Sequence, residues 1–553
     1  MDEDKSKSKE NQSGNMYSYQ EEKKVPVMQT NAIRRSLGEG NPNAFIENQS
    51  NYNNSIDKGP IINQNSIIIH INQSPPLYWM FFLIFGIIQI IIIILLASYF
   101  NWDGYNNTKN NNEKTVDDLI LKKNYKAFQE INIMIFLGFG FLRSFLKHHS
   151  WFSIGLTFMA GLLSFEFGLF SLICWSGAFK KDWDDGEYSF KYFLNSNYNC
   201  ATIVISLGAI LGKLSIPQYF VFILLETIFC TINSILLRQQ MHIIDIGGAL
   251  IVHLFGAVFG GIFSLVSFIT KDERERIKIN PHLGSNYNSN IFALFGTLIL
   301  VTYWPSFNTS LIENTLDGKY LEDDNNYELN YKKFKGIINT YLSILGSIIG
   351  TFCISPICNL GKIKIKDIIN SSFTGGIIVA GCCHIIEHFW ASIIIGVICG
   401  ALTTYLCNIL SDIFKRKGYH DTSDTIYYHG IPGFLGGIIT TIFVGNLEKQ
   451  KKNISKEDLY KMIGHLITKN SGLFGERKIS EYAGVHFAAI IITIAIASAS
   501  GLFTAFVIKF CNCNIDKLYF NDSEFYDISE NNPFPWDDEQ VEFQVRNNNR
   551  NEN

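Results

Sequence analysis

The feature that most constrains this chain is a series of long apolar segments, which begins near Leu77 and ends near Phe510. A helix needs roughly 20 residues to cross the hydrocarbon core of a bilayer. Twelve segments of about this length are candidates, at about 77–100, 131–148, 151–175, 197–214, 217–237, 243–269, 290–306, 336–357, 367–383, 389–410, 424–445 and 484–510. The sequence therefore predicts an all-α polytopic membrane protein with about twelve transmembrane helices.

The two ends of the chain have a different composition. Residues 1–76 are rich in Asn, Gln, Ser, Lys and Glu and poor in aromatic residues, which is typical of a disordered tail. Residues 511–553 form a second polar tail, whose acidic part either stays disordered or docks on the cytoplasmic face. With a net charge of −4 and no basic stripe, the chain gives no indication of nucleic-acid binding.

Basic residues indicate the orientation in the lipid bilayer. If every segment crosses once, the short basic loops share one side with both termini, and the positive-inside rule makes that side cytoplasmic. These loops carry Arg143 and Lys147, then residues 271–278, 362–366 and 415–417. The long outer loops are residues 101–130, 307–335 and 446–483, and a sequon at Asn106 predicts glycosylation of the first of them.

A repeated pattern joins two of the apolar segments. DIGGALIVHLFGAVFGG (Asp245–Gly261) and DTSDTIYYHGIPGFLGG (Asp421–Gly437) each place a His eight residues after an Asp and end in Gly-Gly. The matching residues are Asp245 and Asp421, His253 and His429, Gly260 and Gly436, and Gly261 and Gly437. Because the second copy comes five segments after the first, an odd number, it runs in the opposite direction, and residues 131–270 and 290–445 are expected to form two inverted five-helix halves. The segments at 77–100 and 484–510 are extra spans.

The spacing between each Asp and its His also predicts how deep the two histidines lie in the bilayer. Eight residues of helix rise about 12 Å, so both histidines are expected near the middle of the bilayer, facing each other. A titratable group there is functional by default. For Asp245 and Asp421 we favour a structural role at a helix start over direct contact with a ligand. The Gly-Gly pairs allow close helix packing.

The family resemblance is carried by these motifs and by further blocks in the same order. The sequence resembles the Rh glycoprotein branch of the ammonium transporter (Amt/Mep/Rh) superfamily. The blocks are VHLFGAVFGG (252–261), YHGIPGFLGG (428–437), FLGFGFLRSFLK (136–147), LGAILGK (207–213), FALFGTLILVTYWPSFN (292–308), INTY (338–341) and IIIGVICG (393–400). The resemblance implies a homotrimer of independent pores in the plasma membrane, a transporter rather than an enzyme, without cofactor or metal.

The resemblance also implies roles for individual residues. His253 and His429 match the twin pore histidines, and Asp245 matches the acid near the outer vestibule. Phe307 and Tyr198 match the two stacked rings of the outer gate. Tyr198 stands where Rh proteins usually have Phe, and its hydroxyl is expected to make the gate wetter.

Other positions depart from the Rh pattern. Ser234 stands in place of a vestibule Glu, so we expect cation recruitment to be weaker or to use other residues. Tyr427 and Tyr428 are expected to reshape the inner pore. Glu166 and Glu226 lie inside apolar segments and either face the pore or bond to a neighbouring helix.

The expected function is passage of NH3, recruited as NH4+, through the twin-histidine pore with no net charge movement. Aromatic faces attract a cation, whereas a dry apolar tube disfavours it. The alternatives are electrogenic transport of ammonium or methylammonium, conduction of CO2, and a non-conducting membrane scaffold. HIIEH (384–388) fits a zinc-peptidase pattern, but it has no evident third ligand, so a solvated loop or vestibule rim without metal is expected.

Overall fold

The computed structural model describes residues 75–99, 125–180, 190–267, 283–312, 327–450, 479–510, 521–522 and 525–526. Within these ranges all regular structure is helical. The chain separates into two units, residues 1–82 and residues 83–553. Only the first turns of one helix are described in the first unit, and the second unit holds every contact discussed below.

Thirteen helices are numbered here along the described residues. The first six are α1 (Pro75–Tyr99), α2 (125–142), α3 (Ser150–Lys180), α4 (Phe190–Ile210), α5 (Ile216–Gln240) and α6 (Ala249–Ser267). The others are α7 (Tyr287–Thr309), α8 (Tyr327–Cys358), α9 (Ile365–Ser371), α10 (Thr374–Ile378), α11 (Phe389–Arg416), α12 (Ile426–Gly430 with Ile431–Gln450) and α13 (Ile479–Phe510).

Eight of the described helices are long and apolar enough to cross a membrane, namely α3, α5, α6, α7, α8, α11, α12 and α13. Helices suit this setting because they satisfy their own backbone hydrogen bonds, which the hydrocarbon core cannot do. The prediction that the chain is an all-helical membrane protein is confirmed for the residues that the structure describes. The count of twelve spans and the inverted arrangement of the halves stay predictions.

The segment at 367–383, which was predicted as one transmembrane helix, is not a continuous helix. The segment forms two short helices, α9 and α10, followed by turns. Serine hydroxyls of α8 satisfy backbone carbonyls at this break: Ser343 donates to the Gly375 oxygen and Ser347 donates to the Ser371 oxygen, both at 2.7 Å. A broken helix is tolerated at membrane depth when protein groups take over its backbone hydrogen bonds.

Helices α8 and α11 pack against each other through small residues. A Cβ added at Gly346 or Gly350 of α8 would collide with backbone atoms of α11. The same holds in reverse for Gly396 and Gly400 of α11, which lie against the backbone of α8. Two Gly-x-x-x-Gly faces therefore let these helices approach closely, as is common between membrane helices.

Four π-helical stretches interrupt the regular helices, and each contributes to the site described below. They are Met134–Phe139 in α2, Leu236–Gln240 in α5, Ala249–Leu254 in α6 and Ile426–Gly430 in α12. A π turn widens the helix and redirects its side chains, and such turns are frequent at functional sites. They carry Phe139, Arg238, His253 and His429, respectively.

A short C-terminal piece is bound to the start of α3. The Asp522 carboxylate accepts the backbone N–H groups of Trp151 at 3.1 Å and Phe152 at 2.8 Å. The Phe525 ring stacks on the Phe152 ring, with centroids 3.7 Å apart. Burial raises the pKa of Asp522 to about 6, although the backbone donors favour its charged form.

Candidate functional site

The structure brings His253 of α6 and His429 of α12 into direct contact. Their Nδ1 atoms lie 3.2 Å apart, and their rings are nearly parallel, with centroids 5.4 Å apart and an angle of 13°. Both side chains are buried. Because a hydrogen bond between two ring nitrogens needs one donor and one acceptor, a single proton lies between them.

The two aspartates of the repeat hold the starts of these helices. One carboxylate oxygen of Asp245 accepts the backbone N–H groups of Leu250 and Ile251, both at 3.0 Å. The equivalent oxygen of Asp421 accepts the N–H of Ile426 at 2.9 Å. Each carboxylate therefore caps backbone N–H groups at the start of the helix that carries a histidine.

A second local feature recurs in both copies of the repeat. Gly248 has φ +76° and Asp424 has φ +53°, and each lies three residues after the repeat Asp. This left-handed conformation suits Gly and is tolerated by Asp. Burial opposes ionisation of Asp424, but the charges of Lys366 and Lys415 outweigh it and hold its pKa below the ordinary value.

The two predicted gate rings are stacked. The centroids of Tyr198 and Phe307 lie 4.5 Å apart at an angle of 21°. The Tyr198 hydroxyl donates to the backbone oxygen of Phe307 at 2.5 Å and lies 3.1 Å from the Ser310 hydroxyl. The hydroxyl is therefore hydrogen-bonded within the protein, and the expectation that it makes the gate wetter stays a prediction.

Aromatic rings surround the histidine pair. The Trp304 ring stacks on His253, with centroids 5.6 Å apart. The Phe373 and Phe139 rings lie 5.4 Å and 6.1 Å from the His429 ring. In this apolar setting His253 Nε2 is buried, and no described residue offers it a hydrogen bond. It is therefore available to a small polar molecule.

Sequence reasoning missed Arg238, which lies over the Tyr198 ring. Its Cζ is 5.0 Å from the ring centroid. The guanidinium donates to Asn195 Oδ1 at 2.9 Å and to the backbone oxygens of Asp245 at 3.1 Å and Ile246 at 3.3 Å. The signal available in the sequence was an arginine seven residues before Asp245, but its direction depends on the π turn that ends α5.

The expected position of Arg143 in a basic surface loop is wrong. Its side chain is 4% exposed and lines a narrow cavity together with His429 and Tyr428. Its Nη1 atom has no hydrogen-bond partner within the described ranges. Arg143 lies here because the 3₁₀ turn after α2 directs it inward, toward Gly208 of α4. The cavity is lined by His429 and not by His253, which is the histidine beside the Phe307 ring.

The repeat glycines lie at close helix contacts. A Cβ on Gly260 would be 2.6 Å from the Ser206 oxygen, and one on Gly436 would be 2.9 Å from the Ile378 oxygen. A Cβ on Gly261 would meet the Tyr419 hydroxyl at 2.9 Å, and one on Gly437 would meet Leu250 Cδ2 at 2.6 Å. These contacts bring α6 and α12 against their neighbours.

The remaining predicted residues lie away from the histidine contact. Ser206 donates to both carboxylate oxygens of Glu226 at 2.5 Å, and Gln89 donates to Glu166 at 2.5 Å. Both glutamates thus bond to neighbouring helices. Ser234 and Tyr427 are buried.

The HIIEH segment, which was expected as a solvated loop or vestibule rim, is partly buried. His384 is 3% exposed, and Glu387 forms an ion pair with Lys335 at 2.9 Å. In the part of the chain that the structure describes, no group of three or more His, Cys, Asp or Glu side chains is arranged to hold a metal. Asn106 and most of both polar tails lie outside the described residues.

Known proteins have sequences similar to this one. A model described as "Ammonium Transporter Family" matches residues 88–515. Ammonium transporter Rh type A of Canis lupus familiaris is 31% identical over 322 residues, which cover 58% of this chain and 72% of that protein. Ammonium transporter Rh type C-like 2 of Danio rerio is 28% identical, over 78% of this chain and 83% of that protein.

Known structures share this fold. Rh50 of Nitrosomonas europaea superposes with a TM-score of 0.59 at 22% identity, over 78% of this chain and 98% of that chain. Mep2 of Saccharomyces cerevisiae superposes with a TM-score of 0.53 at 16% identity, over 74% of this chain and 91% of that chain. At sequence identities this low, the superpositions show a shared fold and nothing more.

Proposed function

Since this chain belongs to the ammonium transporter family, in its Rh branch, we propose that it conducts ammonia across a membrane along the His253–His429 pair without net charge movement. The observation that supports this proposal best is the 3.2 Å contact between the two Nδ1 atoms. It lies among aromatic rings directly beyond the Tyr198–Phe307 stack. Asp245 and Asp421 then serve as structural acids at the entrances of the two helices.

The aromatic surroundings favour a neutral substrate. Ammonium is a hydrated cation, and its transfer into a dry apolar passage carries a large desolvation penalty, whereas ammonia is uncharged. The stacked rings of Tyr198 and Phe307 leave no open path between them, so they must separate for each passage. Ammonium therefore gives up its proton at or before these rings, and ammonia continues to the histidines.

The histidine pair offers hydrogen bonds to ammonia in both directions. One ring carries the Nδ1 proton and leaves its Nε2 as an acceptor. The other ring uses Nδ1 as an acceptor and carries its proton on Nε2. A molecule that both donates and accepts hydrogen bonds, such as ammonia, fits this alternation, and the same two rings can relay a proton.

The test is flux and current in proteoliposomes that contain the full chain. Stopped-flow with an internal pH dye reports entry of ammonia, and solid-supported-membrane recording reports charge. We expect wild type to alkalinise the lumen rapidly without an ammonium-dependent current. We expect His253→Ala and His429→Ala to slow this flux or to change its selectivity. His384→Ala is the matched control, because His384 is also buried but is not part of the pair.

Each outcome decides between the candidate functions. Absence of ammonia flux in wild type contradicts conduction and favours a non-conducting membrane scaffold. A saturating ammonium current favours electrogenic transport, for which the proton shared by His253 and His429 is a ready relay. Equal flux in His253→Ala, His429→Ala and His384→Ala contradicts a role of the pair. Methylammonium and CO2 are tested in the same vesicles.

Assembly and orientation belong to the same proposal. The Rh relationship favours a homotrimer in the plasma membrane, and the distribution of basic loops favours cytoplasmic termini with Asn106 outside. Native mass spectrometry tests the trimer. Endoglycosidase digestion of wild type and Asn106→Gln tests the glycan and, with it, the side on which this loop lies.

A further inference from the structure

Tyr198, the outer of the two gate rings, already has a cation over its ring, namely the Arg238 guanidinium. One face of Tyr198 stacks on Phe307, and the Arg238 guanidinium lies over the ring at 5.0 Å from its centroid. An aromatic face together with several oxygen acceptors is a suitable site for an ammonium ion. Here the acceptors are Asn195 Oδ1 and the backbone oxygens of Asp245 and Ile246, and Arg238 occupies all three. No free ring face is left for a second cation.

The other end of the histidine pair carries a second guanidinium. Arg143 shares its cavity with His429, and its Nη1 has no hydrogen-bond partner in the described part of the chain. Its Cζ lies 5.9 Å from the Phe139 ring, which in turn lies 6.1 Å from the His429 ring. A cation that moves between His429 and the cavity must therefore pass this charge.

The nearby acids make their hydrogen bonds with groups other than the two guanidiniums. Asp245 and Asp421 direct one oxygen each at backbone N–H groups. Glu226 is bound by Ser206 and does not line the cavity that holds Arg143. Among the described residues none of these carboxylates forms a contact ion pair with Arg143 or Arg238. At longer range Glu226 and Asp421 attract Arg143, and Asp245 attracts Arg238.

We propose that Arg238 and Arg143 are specificity-determining residues that exclude ammonium and alkali cations from the two ends of the histidine pair, so that only uncharged ammonia enters it. This inference rests on the proposed conduction of ammonia. It places the loss of the proton outside the Tyr198 ring, because the cation position on that ring is occupied. A unit charge at about 6 Å with an effective dielectric constant of about 20 lowers the occupancy of a second cation on the order of 100-fold.

The test compares variants that remove each charge with variants that keep it. Arg238→Leu and Arg143→Met remove the charge at similar volume, and Arg238→Lys and Arg143→Lys retain it. Lys417→Met is the control for loss of an exposed positive charge. Each protein is reconstituted, checked for monodispersity by size exclusion, and examined for ammonia flux and for currents evoked by jumps in ammonium or potassium chloride.

We expect wild type, both Lys variants and Lys417→Met to carry ammonia with little current. Arg238→Leu, Arg143→Met or their double variant should gain an ammonium current at least about 10-fold above wild type. Flux is also measured at constant ammonia while pH changes ammonium about tenfold. The rise of flux with ammonium should be larger in Arg238→Leu than in wild type.

The inference and the proposed function fail in different ways. If wild type does not conduct ammonia, the proposed function fails. If wild type conducts but neither neutral variant nor the double variant gains current, the charge barrier is overturned. It is also overturned if the Lys variants pass as much current as the neutral ones, since shape rather than charge then controls the passage. If one neutral variant does not fold, the other one decides, because each removes the charge at one end of the pair and should gain current by itself.

Discussion

Nδ1 of His253 lies 3.2 Å from Nδ1 of His429, although 176 positions separate these residues in the chain. The contact needs one ring as donor and the other as acceptor, so the two imidazoles hold one proton jointly and have opposite tautomers. A charge on both rings at once would be opposed by repulsion and by the apolar surroundings. The two rings therefore form a single hydrogen-bonded unit.

The first prediction concerns the coupling of the two histidines. Replacing either ring by Ala leaves the other Nδ1 without its partner, so the second replacement should add little to the effect of the first. A double-mutant cycle of ammonia flux should give a coupling of about 1–2 kcal/mol. Additive effects of His253→Ala and His429→Ala would show that the rings act independently.

The second prediction concerns the gate. Tyr198→Phe removes the donor to the Phe307 backbone oxygen, which then keeps only the Ser310 hydroxyl, at 3.2 Å. We expect a loss of about 1 kcal/mol in stability and a gate that opens more readily, seen as faster ammonia flux in stopped-flow records. Flux and unfolding temperature equal to those of wild type would contradict this role of the hydroxyl.

The third prediction concerns the close contact at Gly260. An added Cβ would lie 2.6 Å from the Ser206 oxygen, so Gly260→Ala must push α6 away from α4. The expected destabilisation is about 1–3 kcal/mol, measured as a lower unfolding temperature in detergent. Gly484→Ala in α13 is the matched control, because its Cβ meets nothing within 4 Å. A similar drop in both variants would contradict the packing explanation.

The fourth prediction concerns Asp245. Its carboxylate accepts two backbone N–H groups at the start of α6, so Asp245→Ala should cost about 1–2 kcal/mol in stability. Asp245→Asn keeps one acceptor oxygen and should lose less. Thermal unfolding of the two variants separates this structural role from recruitment of a cation. Recruitment would instead make ammonium dependence the main difference between wild type and Asp245→Asn.

The fifth prediction concerns pH and the C-terminal contact. Burial raises the pKa of Asp522 from 3.8 to about 6, so the bound state takes up a proton more readily than the released state. The contact should strengthen as pH falls from about 6 toward 4, and it should be weakest above pH 6, where the buried carboxylate is ionised. Limited proteolysis of the tail between pH 5 and pH 8 measures this, and Asp522→Asn should remove the pH dependence.

The parts of the site found from sequence share a physical signal. His253 and His429 stand out because titratable groups are rare in apolar segments, and Asp245 and Asp421 stand out because they precede helices at equal spacing. The Rh resemblance predicted from the motifs is confirmed by the family match and the curated relatives. The gate rings came from that resemblance alone.

Other parts could not be predicted because they depend on side-chain direction. Arg143 and Arg238 lie near the ends of apolar segments, where hydropathy treats an arginine as an interfacial charge. The inward direction of Arg143 and the position of Arg238 over Tyr198 come from helical turns that composition does not reveal. The direction of the Tyr198 hydroxyl likewise depends on Phe307, 109 positions away.

The sequence by itself determined that this chain is an all-helical membrane protein and which titratable residues lie in its apolar segments. Both properties follow from local composition, because each helix satisfies its own backbone and each polar side chain in lipid carries a penalty. Only the tertiary structure decided that segment 367–383 is broken, that the two histidines touch, and that a guanidinium lies at each end of the pair. These features arise from contacts between residues far apart in the chain, and hydropathy contains no information about them.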